Sequence, residues 1–207
     1  MRSTPRSTLA TTVVAIGLAA CSSADKAATT DTAGAGATTT MAMPADTAMA
    51  GMDHSNMAGM AGMTGDPDRD FLRMMADHHK GLVLMAHQTL DRKDAPRVAA
   101  DAKKMDTKQD AEIVKMQGML QQRYSDRYEP NVMPDNQKMA DELKALAGKE
   151  YEKTFLHHVV MHHQMAIKMV DAYLPTAKVP EIKAMAEKMQ AEQTAEIAEL
   201  ERKMATL

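Results

Sequence analysis

The sequence predicts an all-α protein, an antiparallel four-helix bundle built from two repeated helix pairs. Three observations carry this expectation. From Asp66 onward apolar residues recur at helical spacing, and no stretch alternates with the period of a strand. A shift of 84 residues lays the chain on itself without a gap. A proline divides each copy at the same place, Pro96 in the first and Pro180 in the second.

The shift places Phe71-Leu72 on Phe155-Leu156, His78-His79 on His162-His163, Met85 on Met169, Lys104-Met105 on Lys188-Met189, and Ala111-Glu112-Ile113 on Ala195-Glu196-Ile197. Of the 50 aligned positions from Phe71 to Leu120, 15 are identical, and a shared Ala-Lys-Glu composition does not produce paired histidines and prolines. The copies run over about 68–123 and 151–206. The first helix is expected from Asp68 to Asp91, and the second, with Pro96 in its opening turn, ends near Arg123. Tyr124 to Pro134 is a loop with two prolines. A short helical stretch, Asp135 to Ala147 with Asp135 as N-cap, leads across Gly148 to a third long helix from Tyr151 to Leu174. The fourth runs from Pro180 to Met204. Short connections within each half make sequential helices antiparallel.

The preceding 65 residues have a different character. Residues 1–20 read as an export signal, with Arg2 and Arg6 ahead of an apolar run, Leu9 to Leu18, that is too short to span a bilayer. Leu18-Ala19-Ala20-Cys21 resembles a bacterial lipobox, which implies lipidation of Cys21 and, through Ser22, favours the outer membrane. Cys21 is the only cysteine, so no internal disulfide or thiolate cluster is possible. Residues 21–65 are Ala, Thr, Gly, Asp and Met without periodicity, the composition of a disordered tether. Residues 66–207 form the helical domain. The expected location is the cell envelope, on its periplasmic or extracellular side and lipid-anchored. A net charge of −3 without a basic stripe makes nucleic acid an unsuitable partner.

Methionine is the compositional outlier, at 22 residues with no tryptophan. Met74, His78 and Met85 fall on one stripe of the first helix, and His158, His162, Met165 and Met169 on one stripe of the third. His79 and His163 lie at the edge of those faces. Imidazole suits copper in both oxidation states and thioether suits Cu(I), so the pattern points to copper, Cu(I) before Cu(II) or Ag(I). The tether repeats the donor set in Met52, His54, Met57, Met60 and Met63. Glu112 and Glu196, repeat-equivalent on the second helix of each half, can accept a hydrogen bond from a ligating histidine and fix its tautomer. Met105, Met116, Met139, Met185 and Met189 read as core filling, and His87 and His157 as surface residues.

The run Phe71-Leu72, His78-His79, Met85, then Gln109, Glu112-Ile113 and Met116, with its copies Phe155 to Met169 and Gln193 to Ile197, resembles the bacterial family named domain of unknown function 305. The resemblance spans about Asp66 to Met204. It implies a ferritin-like four-helix fold, export, a role in copper binding and tolerance, and ligand roles for His78, His79, His162 and His163 with methionines nearby. Asp77 and Met161, ahead of the histidine pairs, depart from the family's usual residues. The tether stretch from Met52 to Met60 is similar to Met-rich motifs of periplasmic copper-resistance proteins. Other copper-handling envelope proteins are the expected partners. A di-iron or di-manganese oxidase needs Glu-x-x-His motifs, and no Asp or Glu stands three residues before any of the eight histidines. The expectation is a binding protein, with a metal-free structural lipoprotein as the alternative.

Overall fold

A computed structural model describes residues 63–207, and within them the protein is all-helical. Five α-helices follow in order: α1 Pro67–Leu90, α2 Ala99–Tyr124, α3 Pro134–Lys144, α4 Gly148–Tyr173 and α5 Pro180–Met204, with a 3-10 turn at Leu174–Thr176. Helix α1 begins where the Asp66 carboxylate accepts from the backbone N–H groups of Asp68 and Arg69, with Pro67 in the first turn. Helix α2 ends at Ser125, whose left-handed backbone (φ 53°) closes the last turn. Helix α4 begins at Gly148, which has φ 54° and whose N–H reaches Asp94.

Two boundaries differ from the sequence expectation. Pro96 lies in the turn before α2, which starts three residues later at Ala99, whereas its counterpart Pro180 opens α5. Asp135 is not the cap of α3. Met133 holds that position without a side-chain bond, Pro134 opens the helix, and Asp135 sits in its first turn facing the positive end of the helix dipole.

Helix α1 packs on α2, α4 on α5, and α1 on α4, while α3 rests on α1 and α4. Contacts run in opposite register along every long pair. Arg73 meets Asp126 and His79 meets Glu112 between α1 and the chain of α2. Asp68 meets Tyr173, and Thr89 meets Tyr151, between α1 and α4. Lys108 meets Glu196 and Arg123 meets Glu181 between α2 and α5. The long helices are therefore antiparallel to their neighbours.

The duplication also sets the joints. Asp68, at the start of α1, is 1% exposed and accepts from the Tyr173 hydroxyl and from the backbone N–H groups of Lys178 and Val179, in the α4–α5 linker. Its repeat equivalent, Glu152 near the start of α4, is equally buried and accepts from the backbone N–H and guanidinium of Arg97, in the α1–α2 linker. Each half thus ties down the other's turn. Between the joints lies an apolar cluster of Phe71, Leu72, Met75, Ile113, Met116, Leu120, Met169, Val170, Ile182, Met185 and Met189, with Phe71 stacked on Tyr173 at 4.1 Å. Met105, Met116, Met139, Met185 and Met189 are buried, as core filling requires.

Candidate metal centre

Helical periodicity brings His78 and His79 on α1 towards His162 and His163 on α4, and all four imidazoles have no solvent exposure. The His78 and His162 rings pack against each other with centroids 3.7 Å apart and planes tilted by 35°. His162 Nε2 is 2.8 Å from the carbonyl oxygen of its own repeat equivalent, His78. A carbonyl only accepts, so this bond places the His162 proton on Nε2 and leaves Nδ1 with a lone pair. The same carbonyl accepts from Asn136 Nδ2 at 3.1 Å, a donor contributed by α3. Gly81 makes that approach possible, because a Cβ there would stand 2.3 Å from Asn136 Cβ.

The outer histidines are held by carboxylates. His79 Nε2 lies 2.8 Å from Glu112 Oε2, and His163 Nε2 lies 3.1 Å from Glu196 Oε2. The aligned bond from His79 to Glu112 directs that proton to Nε2 and the lone pair to Nδ1, whereas His163 Nε2 and Glu196 Oε2 approach without hydrogen-bond alignment. The Nδ1 atoms of His79 and His162 are buried and meet no hydrogen-bond partner, and neither ring nitrogen of His78 or of His163 has one. Buried polar atoms without partners are uncommon and costly. Burial, reinforced by the neighbouring His79 and His163, pushes the His78 pKa well below its ordinary value. Burial and the adjacent His78 and His163 do the same to His162. Both rings are neutral near pH 7, the form that binds a metal. At Glu196 burial opposes ionisation, yet the His163 contact and Lys108 prevail and hold its pKa at about 2. Unpaired imidazole nitrogens braced by carboxylates fit a borderline or soft cation such as copper.

Residues 18–120 and 121–204 each match the family described as domain of unknown function (DUF305). The chain belongs to that family. Among solved structures, a DUF305 fragment from Deinococcus radiodurans is 24% identical, covering 68% of this chain and 97% of its own, with a TM-score of 0.60. A putative secreted DUF305 protein from Streptomyces coelicolor is also 24% identical, covering 65% of this chain and 88% of its own at a TM-score of 0.57. CopM, solved in Cu(II)-bound, Cu(I)-bound and silver-bound forms, is 24% identical in the first, covering 67% of this chain and 96% of its own at a TM-score of 0.58. These likenesses establish the fold. No curated protein sequence matches.

His158 is buried against α3, with Nε2 3.3 Å from Glu142. Its repeat equivalent Met74 is half-buried against the apolar cluster, and Met169 sits inside that cluster. Met85 is fully buried and Met165 half-buried on the helices that carry the histidines. Met74 also lines a cleft of about 230 Å³ shared with Met63, Met133, Asp77 and Tyr128. Met63 is thus the one tether ligand in view, while Cys21, Met52, His54, Met57 and Met60 lie outside the described residues. His157 and His87 are at the surface.

Two polar residues of the repeat were given no role in the sequence reading. Gln109 and Gln193, repeat-equivalent and one turn before Glu112 and Glu196, are fully buried, and neither amide has a partner. The retained identity under the 84-residue shift, at a core position of each helix, was the available signal.

Proposed function

We propose that this is an extracytoplasmic copper-binding lipoprotein that sequesters copper or hands it over at the cell envelope. The observation that carries this reading is the set of four buried imidazoles whose Nδ1 atoms have no protein partner. Unshared lone pairs in a buried core suit an ion better than they suit packing. Cu(I) is the favoured form, since Met63, Met74 and Met133 line one cleft and supply thioether donors, and Cu(II) or Ag(I) are alternatives. CopM, a protein of the same fold, is known in Cu(I)-, Cu(II)- and silver-bound forms, which supports this choice. We read the antiparallel helices as a ferritin-like four-helix bundle, lacking the Glu-x-x-His signature of an oxidase, and hence as a binder and not an enzyme. Lipidated Cys21 anchors the chain, preferentially at the outer membrane, where other copper-handling proteins are its partners.

Competitive Cu(I) titration of the full chain tests the assignment. His78→Ala and His162→Ala each lower affinity at least tenfold, while His157→Ala, on the exposed face of α4, leaves it unchanged. Wild-type affinity in both core variants would place copper elsewhere.

A further inference from the structure

Among the described residues, the histidines of the core are not the tightest ligand cluster. The one trio of histidine or carboxylate side chains whose ligand atoms all fall within 4.8 Å of one another is His87, Asp106 and Asp110. His87 lies in the last turn of α1, and Asp106 and Asp110 are four residues apart on the facing side of α2, so three donors project from two rigid helices. We propose that this trio is a second metal site, for a divalent cation of borderline hardness such as Zn(II), separate from the buried histidines.

The donor set is one imidazole nitrogen and two carboxylate oxygens, with no thioether. It suits Zn(II) and similar divalent ions and is a poor match to Cu(I). Zinc bonds of about 2.0–2.2 Å put the ligands of a tetrahedral ion roughly 3.4 Å apart. His87 Nε2 and Asp106 Oδ1 stand 2.8 Å apart and Asp110 is within the same small volume, so a slight opening admits the ion and leaves a fourth position for water. His87 and Asp110 are exposed, which gives both access and room for that adjustment.

Two further observations favour a ligand. Asp106 is 7% exposed, and its Oδ1, aimed at His87, accepts no well-aligned hydrogen bond from any described residue. Its other oxygen accepts from Lys103 at 3.4 Å, a side chain that is 68% exposed. The duplication also supplies an internal control. At the equivalent place in the second half stand Asp171, Gln190 and Thr194, and Gln190 Nε2 donates to Asp171 Oδ1 at 2.5 Å. There the same geometry is closed by an amide hydrogen bond and offers no imidazole. The first copy alone has the ligands.

Equilibrium dialysis of the full chain against Zn(II), with bound metal counted by elemental analysis, tests the site. Wild type binds one more equivalent than either His87→Ala or Asp110→Asn, and Asp171→Ala matches wild type. All three substitutions are at exposed positions, so folding, checked by circular dichroism, is retained. Full wild-type stoichiometry and affinity in both His87→Ala and Asp110→Asn would overturn the proposal, as would an equal loss in Asp171→Ala. Copper binding by the buried histidines is measured separately, so failure there leaves this result standing.

Discussion

Replacing Gly81 with alanine should destabilise the protein even though alanine is the better helix former. An added Cβ would stand 2.3, 2.4 and 2.5 Å from Cβ, Nδ2 and Cγ of Asn136, distances that require α3 or the Asn136 side chain to move. The helix gains about 0.8–1 kcal/mol in propensity. Against this, overpacking costs about 1–3 kcal/mol. Displacing Asn136 also breaks its 3.1 Å bond to the His78 carbonyl and strands a buried amide, for about another 1–3 kcal/mol. The net loss is about 1–5 kcal/mol. Gly118, in the interior of α2, has nothing within 4 Å of its would-be Cβ, so Gly118→Ala should instead stabilise by up to about 1 kcal/mol. Denaturant unfolding of the two variants beside wild type separates packing from propensity. A Gly81→Ala protein as stable as wild type or more so would refute the tight α1–α3 approach on which the position of Asn136 depends.

Asp68→Ala should cost at least about 2 kcal/mol, because the Tyr173 hydroxyl and two linker N–H groups lose a buried acceptor; an unshifted thermal midpoint would contradict the joint described between α1 and the α4–α5 linker. The metal-free protein should lose stability as pH falls below 6.5. His78 and His162 have lowered pKa values when folded and ordinary ones when unfolded, so the unfolded chain takes up more protons in the window between the two. The slope there reaches about 1.4 kcal/mol per pH unit for each histidine, and a flat stability profile from pH 7 to 5 in urea titrations would show the rings to be hydrated.

The helices and their pairing were legible in the sequence because the 84-residue repeat and the 3.6-residue period both depend on side chains that must be buried together. His78 opposite His162 followed from the same logic, and Glu112 and Glu196 proved to lie against His79 and His163. What the sequence concealed involves elements outside the repeat. Helix α3 has no duplicate, so nothing in the repeat forecast Asn136 on the His78 carbonyl or Glu142 beside His158. A helical wheel assigns an angle but not the neighbour at that angle, which is why Met74 and Met169 share the histidine stripe yet pack into the apolar cluster. His87 is at the surface as read, but its neighbours Asp106 and Asp110 come from the next helix, which a reading of one helix at a time does not bring together.

X-ray absorption at the copper edge, on the full chain loaded with one equivalent of Cu(I), tests the central claim most directly. The buried Nδ1 atoms predict an outer-shell imidazole scattering pattern that is lost in the His78→Ala/His162→Ala double variant. A purely sulfur-ligated spectrum, identical in wild type and the double variant, would contradict copper binding by the buried histidines.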